Sequence, residues 1–294
     1  MVIVRKPLRT KAELKALLDN RKKRLDEARK RQEEARRRAE RERLAQGLPP
    51  RVKVLSEWKT LDELIRGKSI ARFGDGEIKH MDGRRNVSQV HHPELTRRLN
   101  EVFRSRVPNL LIGIPNVYNG REFTEVNQDY IYNMYRRFRK IADKTYTYAS
   151  SYITRGDLCG YLSWPSYWNR VFKLWEDRPI TLVRGHEKRA TGGGMFAKAR
   201  SVHHIQTPAS GAWKEYERIF GECLQRPKDD LFLLCVGPTA TVLAHDLAVN
   251  GRQAADIGHL GMFYSRNWGI EDDRDRQVWH HRPTDPGYVP GSEY

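Results

Sequence analysis

From Val52 onward, short apolar runs alternate with segments that have the composition of amphipathic helices. Each run is short enough to be one buried strand, and most of them end at Gly, Pro or Asp. Strands that alternate with helices in this way are typical of parallel sheets covered by helices. The chain is therefore expected to adopt an α/β fold with a mostly parallel sheet flanked by helices.

The positions of the elements follow from the same pattern. Strands are expected at residues 69–73, 109–114, 146–152, 180–183, 202–206, 231–236 and 253–257. Helices are expected at residues 58–66, 93–103, 127–142, 166–174, 212–224 and 239–249. In a parallel sheet, ligands bind beyond the carboxyl ends of the strands. The polar residues that follow the strands are therefore expected to share one rim.

The N-terminal part of the chain has a different composition. Residues 11–46 are rich in Arg, Lys, Glu and Ala and contain no Gly or Pro, which favours a helix. The apolar stripe in this segment is too weak to predict a coiled coil. The sequence Gly-Leu-Pro-Pro at residues 47–50 ends the helix. We expect an arm and linker at residues 1–50, an α/β domain at 51–270 and an irregular polar tail at 271–294.

The net charge of +17 predicts an acidic partner, which leaves nucleic acid, an anionic membrane and phosphorylated ligands open. The first 50 residues hold 17 Lys and Arg against eight Asp and Glu, so this segment carries about half of the surplus. It is either a solvated helix stabilised by ion pairs between successive turns, or an arm that contacts nucleic acid or another chain.

Composition also argues against several protein classes. The three cysteines, Cys159, Cys223 and Cys235, lack the spacing of a zinc ribbon or a redox pair, and they favour a reduced compartment. The basic N-terminus has no apolar run behind it, so no signal peptide is expected. No stretch approaches the ~20 apolar residues of a membrane span. These features predict a cytoplasmic protein.

The most informative motif follows the first core strand, Ser69 to Phe73. Asp75 and Glu77 would point in the same direction if the backbone stayed extended, and Gly74 and Gly76 would let a ligand approach the main chain. Paired carboxylates are suitable ligands for Mg²⁺ or Mn²⁺ bound to a diphosphate. The same letters also occur in ordinary turns, so the motif alone leaves a structural role open.

A second motif follows the strand at residues 180–183. Gly185, Arg189, Gly192 and Gly193 lie in a loop after which a helix is expected near residue 195. Backbone N–H groups and cations near a helix start can bind an anion. A surface loop without a ligand is the alternative.

Two further motifs follow later strands. Gly237 begins a helix in which Thr239 and Thr241 can bind phosphate or cap the helix. Asp256 and His259 follow the last strand and can act as a base or orient a substrate. A structural role for either pair stays open.

Taken together and in this order, these segments resemble the GT-D-type glycosyltransferases of bacteria. The matching residues are Arg72 to Glu77 (RFGDGE), Gly113-Ile114-Pro115, Trp175 with Ile180, Val183, Gly185, Arg189 and Gly192, Gly237 to Leu247 (GPTATVLAHDL), and Asp256 to His259 (DIGH). The resemblance covers residues 56–265 and leaves the basic arm outside.

The resemblance implies a Rossmann-like enzyme that transfers a sugar from a nucleotide donor, typically a UDP-hexose. In that family the Asp-x-Glu pair serves the metal and the diphosphate, and this role is carried over to Asp75 and Glu77. The glycine-rich loop and the segment that begins at Gly237 would then face the donor. Arg72 would hold phosphate oxygens together with Arg189. The base or acceptor-positioning group would be Asp256 or His259.

We therefore expect a metal-dependent glycosyltransferase that moves a hexose, glucose being the expected sugar, with Mn²⁺ or Mg²⁺ as cofactor. The charge favours a polyanionic acceptor, and hydroxymethylated bases in DNA are the concrete hypothesis. The alternatives are transfer to a cell-envelope glycan or a protein, and an inactive relative that binds nucleic acid.

Overall fold

The computed structural model describes residues 19–28, 31, 35, 52–86, 89–116, 128–155, 164–185 and 194–267. The chain divides into two compact units, Met1–Arg51 and Val52–Tyr294. In the first unit, residues 19–28 form helix α1, and its side chains are exposed. Within these ten residues this agrees with the helix expected for residues 11–46. The linker at 47–50 and the polar tail at 271–294 lie outside the described residues.

The second unit is built on one eight-stranded sheet. The strands are β1 (Lys53–Val54), β2 (Ser69–Arg72), β3 (Leu110–Ile114), β4 (Thr147–Ser150), β5 (Pro179–Gly185), β6 (Ser201–Thr207), β7 (Leu231–Cys235) and β8 (Ala254–Asp256). Their order in the sheet is β1-β4-β3-β2-β8-β7-β5-β6, and every described pair is parallel. The mostly parallel α/β sheet expected from the sequence is confirmed.

Helices cover both faces of the sheet. They are α2 (Glu57–Ile65), α3 (Asp75–Met81), α4 (Pro93–Arg104), α5 (Gln128–Ile141), α6 (Trp164–Phe172), α7 (Tyr216–Gln225), α8 (Pro238–Val249) and α9 (Leu260–Asn267). Side chains of α3, α4, α5, α7 and α8 contribute to one apolar cluster, and those of α2, α6 and α9 contribute to the other. Two layers of helices therefore enclose the sheet.

The strand sequences explain why the sheet is covered on both faces. In β7, Leu231 and Leu233 pack into one cluster, whereas Phe232 and Leu234 pack into the other, and all four side chains are buried. Successive side chains of a strand point to opposite faces, so a continuous apolar run needs a covering layer on each side. The apolar runs in the sequence are therefore the cause of the three-layer arrangement.

Three features differ from the expected elements. The segment that begins at Asp75 is helix α3, and the segment that begins at Leu260 is helix α9. Residues 194–198 form hydrogen-bonded turns rather than the helix expected near residue 195. The strand expected at 146–152 ends at Ser150, and a 3₁₀ turn, Ser151–Thr154, continues the chain.

Strands β2 and β8 are adjacent and parallel in the middle of the sheet. The chain leaves β2 into α3 on one face of the sheet, and it leaves β8 into α9 on the other face. Connections that diverge from adjacent parallel strands open a crevice beyond their carboxyl ends, where ligands of doubly wound folds bind. The fold therefore places the residues after β2 and β8 at one crevice.

Helix α8 is held in place by an acidic side chain. Asp246 accepts hydrogen bonds from the Arg98 guanidinium of α4 and from the Tyr216 hydroxyl of α7, each at 2.5 Å. His245 contacts the same carboxylate through Nδ1 at 2.7 Å. The side chains of Arg98 and Asp246 are 23% and 17% exposed, so the pair is only partly screened by water. This cluster joins three helices on one face of the sheet.

We expect Asp246→Ala to lower the free energy of unfolding by about 3 kcal/mol, because Tyr216 would lose its acceptor and Arg98 would keep only its exposed contact with Glu101. Urea unfolding followed by circular dichroism measures the loss. Arg97→Ala is the matched control, since Arg97 pairs with Glu94 and Glu101 on the exposed side of α4. That variant should lose less than about 1 kcal/mol. Equal losses in the two variants would contradict the assignment.

Candidate active site

The guanidinium of Arg72, the last residue of β2, donates four hydrogen bonds to described residues. Its Nε donates to the main-chain oxygen of Asp256 at 2.7 Å, and its Nη2 donates to Oδ1 of the same residue at 2.9 Å. Its Nη1 donates to the main-chain oxygen of Ser151 and to the hydroxyl of Thr154. Arg72 therefore connects the ends of β2 and β8 with the 3₁₀ turn after β4.

Gly258 lies directly against this guanidinium. Its φ is +47°, and a Cβ built on it would stand 2.2 Å from Nη2 of Arg72. The Gly258 N–H also donates to Oδ1 of Asp256 at 3.1 Å. A side chain at position 258 would therefore occupy the space that the guanidinium fills.

Asp75 and Glu77 lie in the first turn of α3 rather than in an extended segment. Residues two apart in a helix do not face each other. Asp75 Oδ2 pairs with Lys79 one turn further along at 3.3 Å, whereas Glu77 Oε2 accepts the N–H of Gly74 at 2.8 Å. The expectation that both carboxylates point in one direction along an extended backbone is wrong. They remain in one helical turn at the end of β2.

The carboxylates of the crevice interact electrostatically. The pKa of Glu77 is raised to about 7, mainly because the carboxyl is removed from water and also because the charges of Asp256 and Asp75 are close. Burial also raises the pKa of Asp256, although Arg72 opposes this effect. Arg72 and Lys79 are the cations that pair with Asp256 and Asp75. Glu77 has no comparable cation in its described contacts, so the raising effects of burial and of the two neighbouring carboxylates on its pKa are opposed only by backbone hydrogen bonds.

Three of the glycines expected to admit a ligand have protein groups close by. A Cβ at Gly76 would meet the side-chain nitrogen of Asn86 at 2.9 Å, and one at Gly185 would meet Cα of Ala209 at 3.0 Å. A Cβ at Gly74 would stand 3.4 Å from the Glu77 carboxylate. At these positions the missing side chain permits contacts inside the protein, which is a structural reason for glycine independent of any ligand.

Thr239 and Thr241, in the segment after β7, differ in their hydrogen bonds. The Thr241 hydroxyl donates to the main-chain oxygen of Arg72 at 2.9 Å and so fixes α8 to β2. The Thr239 hydroxyl is fully buried and has no hydrogen-bond partner in the described structure. Gly237, the N-cap of α8, is exposed and has a φ of 58°. Thr241 therefore has a structural role, and contact of Gly237, Thr239 and Thr241 with a donor stays a prediction.

Of the remaining predicted site residues, only His259 is among the described residues. His259 follows Gly258 at the crevice, and its side chain is exposed. Arg189, Gly192 and Gly193 lie outside the described residues, so their predicted contacts with a donor stay predictions.

The sequence analysis missed several contributors to the crevice. Ser151 and Thr154 accept hydrogen bonds from Arg72, and no sequence signal marked them. Lys79 follows Asp75 by four residues, so a helix there would have predicted the ion pair. The Cys235 thiol, at the end of β7, has a raised pKa because it is buried and because Asp256 is close.

Within the described ranges, no group of three or more His, Cys, Asp and Glu side chains is arranged to hold a metal ion. The described helices also include none with the length and apolar character needed to cross a bilayer.

Comparison with known proteins identifies the family pattern. The model of the glycosyltransferase GT-D fold matches residues 70–269. A solved glycosyltransferase of the DUF1792 group from Streptococcus sanguinis is 28% identical, with a TM-score of 0.66 over 76% of this chain and 87% of that one. A second DUF1792 structure, described as a distinct glycosyltransferase fold, is 26% identical, with a TM-score of 0.67 over 74% of this chain and 82% of that one.

Two named streptococcal proteins are also similar. One is the probable glycosyl transferase Gly of Streptococcus gordonii, which is 31% identical over 231 residues. The other is the glycosyltransferase GlyD of Streptococcus pneumoniae serotype 4, which is 26% identical over 227 residues. The matches cover 75% and 73% of this chain but only 34% and 27% of the relatives. The chain thus spans about a third of the length of the curated relatives it matches.

We expect Glu77→Gln to stabilise the metal-free protein more at pH 8 than at pH 5. The folded-state pKa of Glu77 is about 7 against 4.5 for the ordinary group, so the folded state binds more protons than the unfolded state between these values. Stability therefore falls as the pH rises through this window. Glutamine removes the buried charge and keeps an oxygen for the Gly74 N–H.

Thermal unfolding in the presence of a chelator measures this difference. Glu94→Gln is the control, because Glu94 is exposed and its hydrogen bond to Arg97 lowers its pKa, the opposite direction to Glu77. A stability difference between Glu77→Gln and wild type that stays constant from pH 5 to pH 8 would contradict the prediction.

Proposed function

The chain belongs to the GT-D family of glycosyltransferases, and we propose that it transfers a hexosyl group from a UDP-sugar, UDP-glucose in the first instance, to a hydroxyl group of its acceptor. The C1–O bond to the diphosphate breaks, the acceptor oxygen bonds to C1, and the acceptor proton passes to a base. UDP is the leaving group. Of the residues proposed to act, Asp75, Glu77 and Asp256 lie at the crevice between β2 and β8.

The observation that carries this proposal is the imbalance of charge at the crevice. Asp75, Glu77 and Asp256 interact electrostatically, while Arg72 and Lys79 are the cations that pair with them. A carboxylate with a raised pKa in a crevice marks a functional-site candidate. The excess negative charge favours a proton or a metal ion, and a metal ion would in turn attract the diphosphate of a donor.

The donor set fits a divalent cation that is shared with the substrate. Mg²⁺ and Mn²⁺ are commonly bound by one or two carboxylates together with substrate phosphates, so an all-protein cage is not required. Asp75 and Glu77 would supply these carboxylates, each with one oxygen engaged in a described contact. When bound, the cation would offset the negative charge that collects on the leaving diphosphate.

The residues of the chain would divide the remaining tasks. Asp256 and His259 are the proposed base or acceptor-positioning groups, because both follow β8 at the crevice. Gly237 and Thr239, at the start of α8, are the proposed donor contacts. Arg189, in the glycine-rich loop, would hold phosphate oxygens.

For the acceptor, we propose a polyanion that carries free hydroxyl groups, and hydroxymethylated DNA is the version to test. The support is the net charge of +17 and the concentration of positive charge in the first 50 residues. The family relationship alone is equally compatible with a glycan or a protein as the acceptor. These are the outcomes that the second experiment below distinguishes.

For the donor, we expect UDP-glucose with Mn²⁺ to raise the melting temperature. At 100 times the dissociation constant, ligand binding adds about 2.7 kcal/mol, which corresponds to a shift of about 5–10 °C in a protein of this size. Asp75→Asn should remove the part of the shift that depends on Mn²⁺, because it removes one proposed ligand of the cation. Differential scanning fluorimetry with UDP-, GDP- and dTDP-sugars measures these shifts.

Glu101→Gln, on the exposed side of α4, is the matched control and should shift as wild type does. The donor assignment is wrong if no nucleotide sugar raises the melting temperature in the presence of Mn²⁺ or Mg²⁺.

For the acceptor, we expect the full chain to bind DNA with an affinity that falls steeply with salt, because cations that contact phosphates release counterions. Deletion of residues 1–46 should reduce the slope of log K against log salt. Fluorescence anisotropy at several salt concentrations measures the slope, and mass spectrometry detects glucose on hydroxymethylated DNA. An equal slope without the arm, or no modification with any donor, would contradict the DNA proposal and favour a glycan or protein acceptor.

A further inference from the structure

Arg72 lies where a phosphate ligand would be expected, but its guanidinium is hydrogen-bonded to other groups of the protein. A guanidinium carries five N–H donors, and four of those in Arg72 are engaged with Asp256, Ser151 and Thr154. Its side chain is only 15% exposed. With these four bonds in place, at most one N–H of Arg72 can contact a ligand, which rules out the usual forked contact with a phosphate unless the internal bonds break.

The bonds to Asp256 fix this residue in two ways. Nε holds its main-chain oxygen, and Nη2 holds its carboxylate oxygen Oδ1. The first bond sets the position of the end of β8, and the second bond sets the direction of the side chain. The Gly258 N–H donates to the same carboxylate oxygen and completes the arrangement.

Building on the proposed function, we propose that Arg72 is a positioning residue that holds the Asp256 carboxylate in the crevice and does not bind the donor phosphates. Its effect on sugar transfer is exerted through Asp256. Gly258 is needed for this arrangement, because a Cβ there would stand 2.2 Å from Nη2 of Arg72 and displace the guanidinium. Lysine cannot replace Arg72, since a single ammonium group lacks the planar set of donors that binds both the main-chain oxygen and Oδ1 of Asp256.

The first experiment separates positioning from binding. Arg72→Lys and Arg72→Met are compared with wild type for UDP affinity by calorimetry in Mn²⁺ and for the rate of UDP-glucose hydrolysis. The rate should fall about 10²-fold, as expected for a misplaced catalytic group. The dissociation constant of UDP should stay within about threefold of wild type, because a factor of ten would correspond to about 1.4 kcal/mol of lost contact.

The variant Asp256→Asn tests whether the effect of Arg72 on the rate is exerted through Asp256. If Arg72 acts through Asp256, the double variant Arg72→Met/Asp256→Asn should be no slower than the slower single variant. Additive losses would show that Arg72 acts by a separate route and would overturn the proposal. A parallel loss of UDP affinity and rate in Arg72→Met would show that Arg72 is a phosphate ligand.

Arg98→Lys is the matched control, because Arg98 also forms a half-buried pair with an aspartate, Asp246, in a different part of the fold. It should lower stability while the UDP affinity and the rate of hydrolysis stay at the wild-type values. If it lowered the rate as Arg72→Lys does, a general loss of stability would explain both results.

A second experiment requires no substrate. Gly258→Ala should lower the melting temperature in wild type and lower it less in an Arg72→Ala background, where the guanidinium no longer occupies the space. A smaller fall in melting temperature is expected to remain in the Arg72→Ala background, because alanine disfavours positive φ. Equal losses in the two backgrounds would overturn the contact between Arg72 and Gly258.

The two experiments fail in different ways. A wild-type protein that neither binds UDP nor hydrolyses any UDP-sugar would refute the proposed function, and the positioning role would fall with it. The melting temperatures of Gly258→Ala in the wild-type and Arg72→Ala backgrounds would still show whether Arg72 occupies the space beside Gly258. A wild-type protein that is active, with a fast Arg72→Met variant, would refute the positioning role alone.

Discussion

The contact between Arg72 and Asp256 joins residues that are 184 positions apart in the chain. It exists because β2 and β8 are adjacent parallel strands, so that their carboxyl ends meet at one edge of the sheet. The covering layers of α3 and α9 then leave the sheet on opposite faces and open the crevice. Without this pairing, the motifs after the two strands would lie at unrelated places.

The chemistry of the crevice depends on how its charges are compensated. Asp256 is balanced by Arg72, and Asp75 is balanced by Lys79, whereas the pKa of Glu77 rises to about 7. Burial of a charge without a partner is costly, so such a group favours a proton or a cation from outside the protein. This pattern of charges is the basis for the proposed donor, a nucleoside diphosphate sugar accompanied by a metal ion.

The sheet and most helices were predictable, because apolar runs such as Leu231–Cys235 and the glycine that precedes α8 are strong local signals. The helical turn at Asp75 was not, since two glycines in three residues disfavour a helix and the N-cap, Gly74, has no side chain that would mark a helix start, although Glu77 caps its N–H locally. The sequence also located the crevice residues at the ends of strands. It could not identify Ser151 and Thr154 as partners of Arg72, because that contact depends on the pairing of strands far apart in the chain.

The absence of a side chain at Gly258 has a consequence for how this enzyme family can diverge. The guanidinium of Arg72 stands where a methyl group would be, so the two positions share one volume. A descendant that replaced the arginine by a shorter residue would lose the clash at position 258 and keep only the cost of a positive φ. A descendant that acquired alanine first would meet a clash. Evolutionary change at this pair therefore has a favoured order, in which residue 72 changes before residue 258.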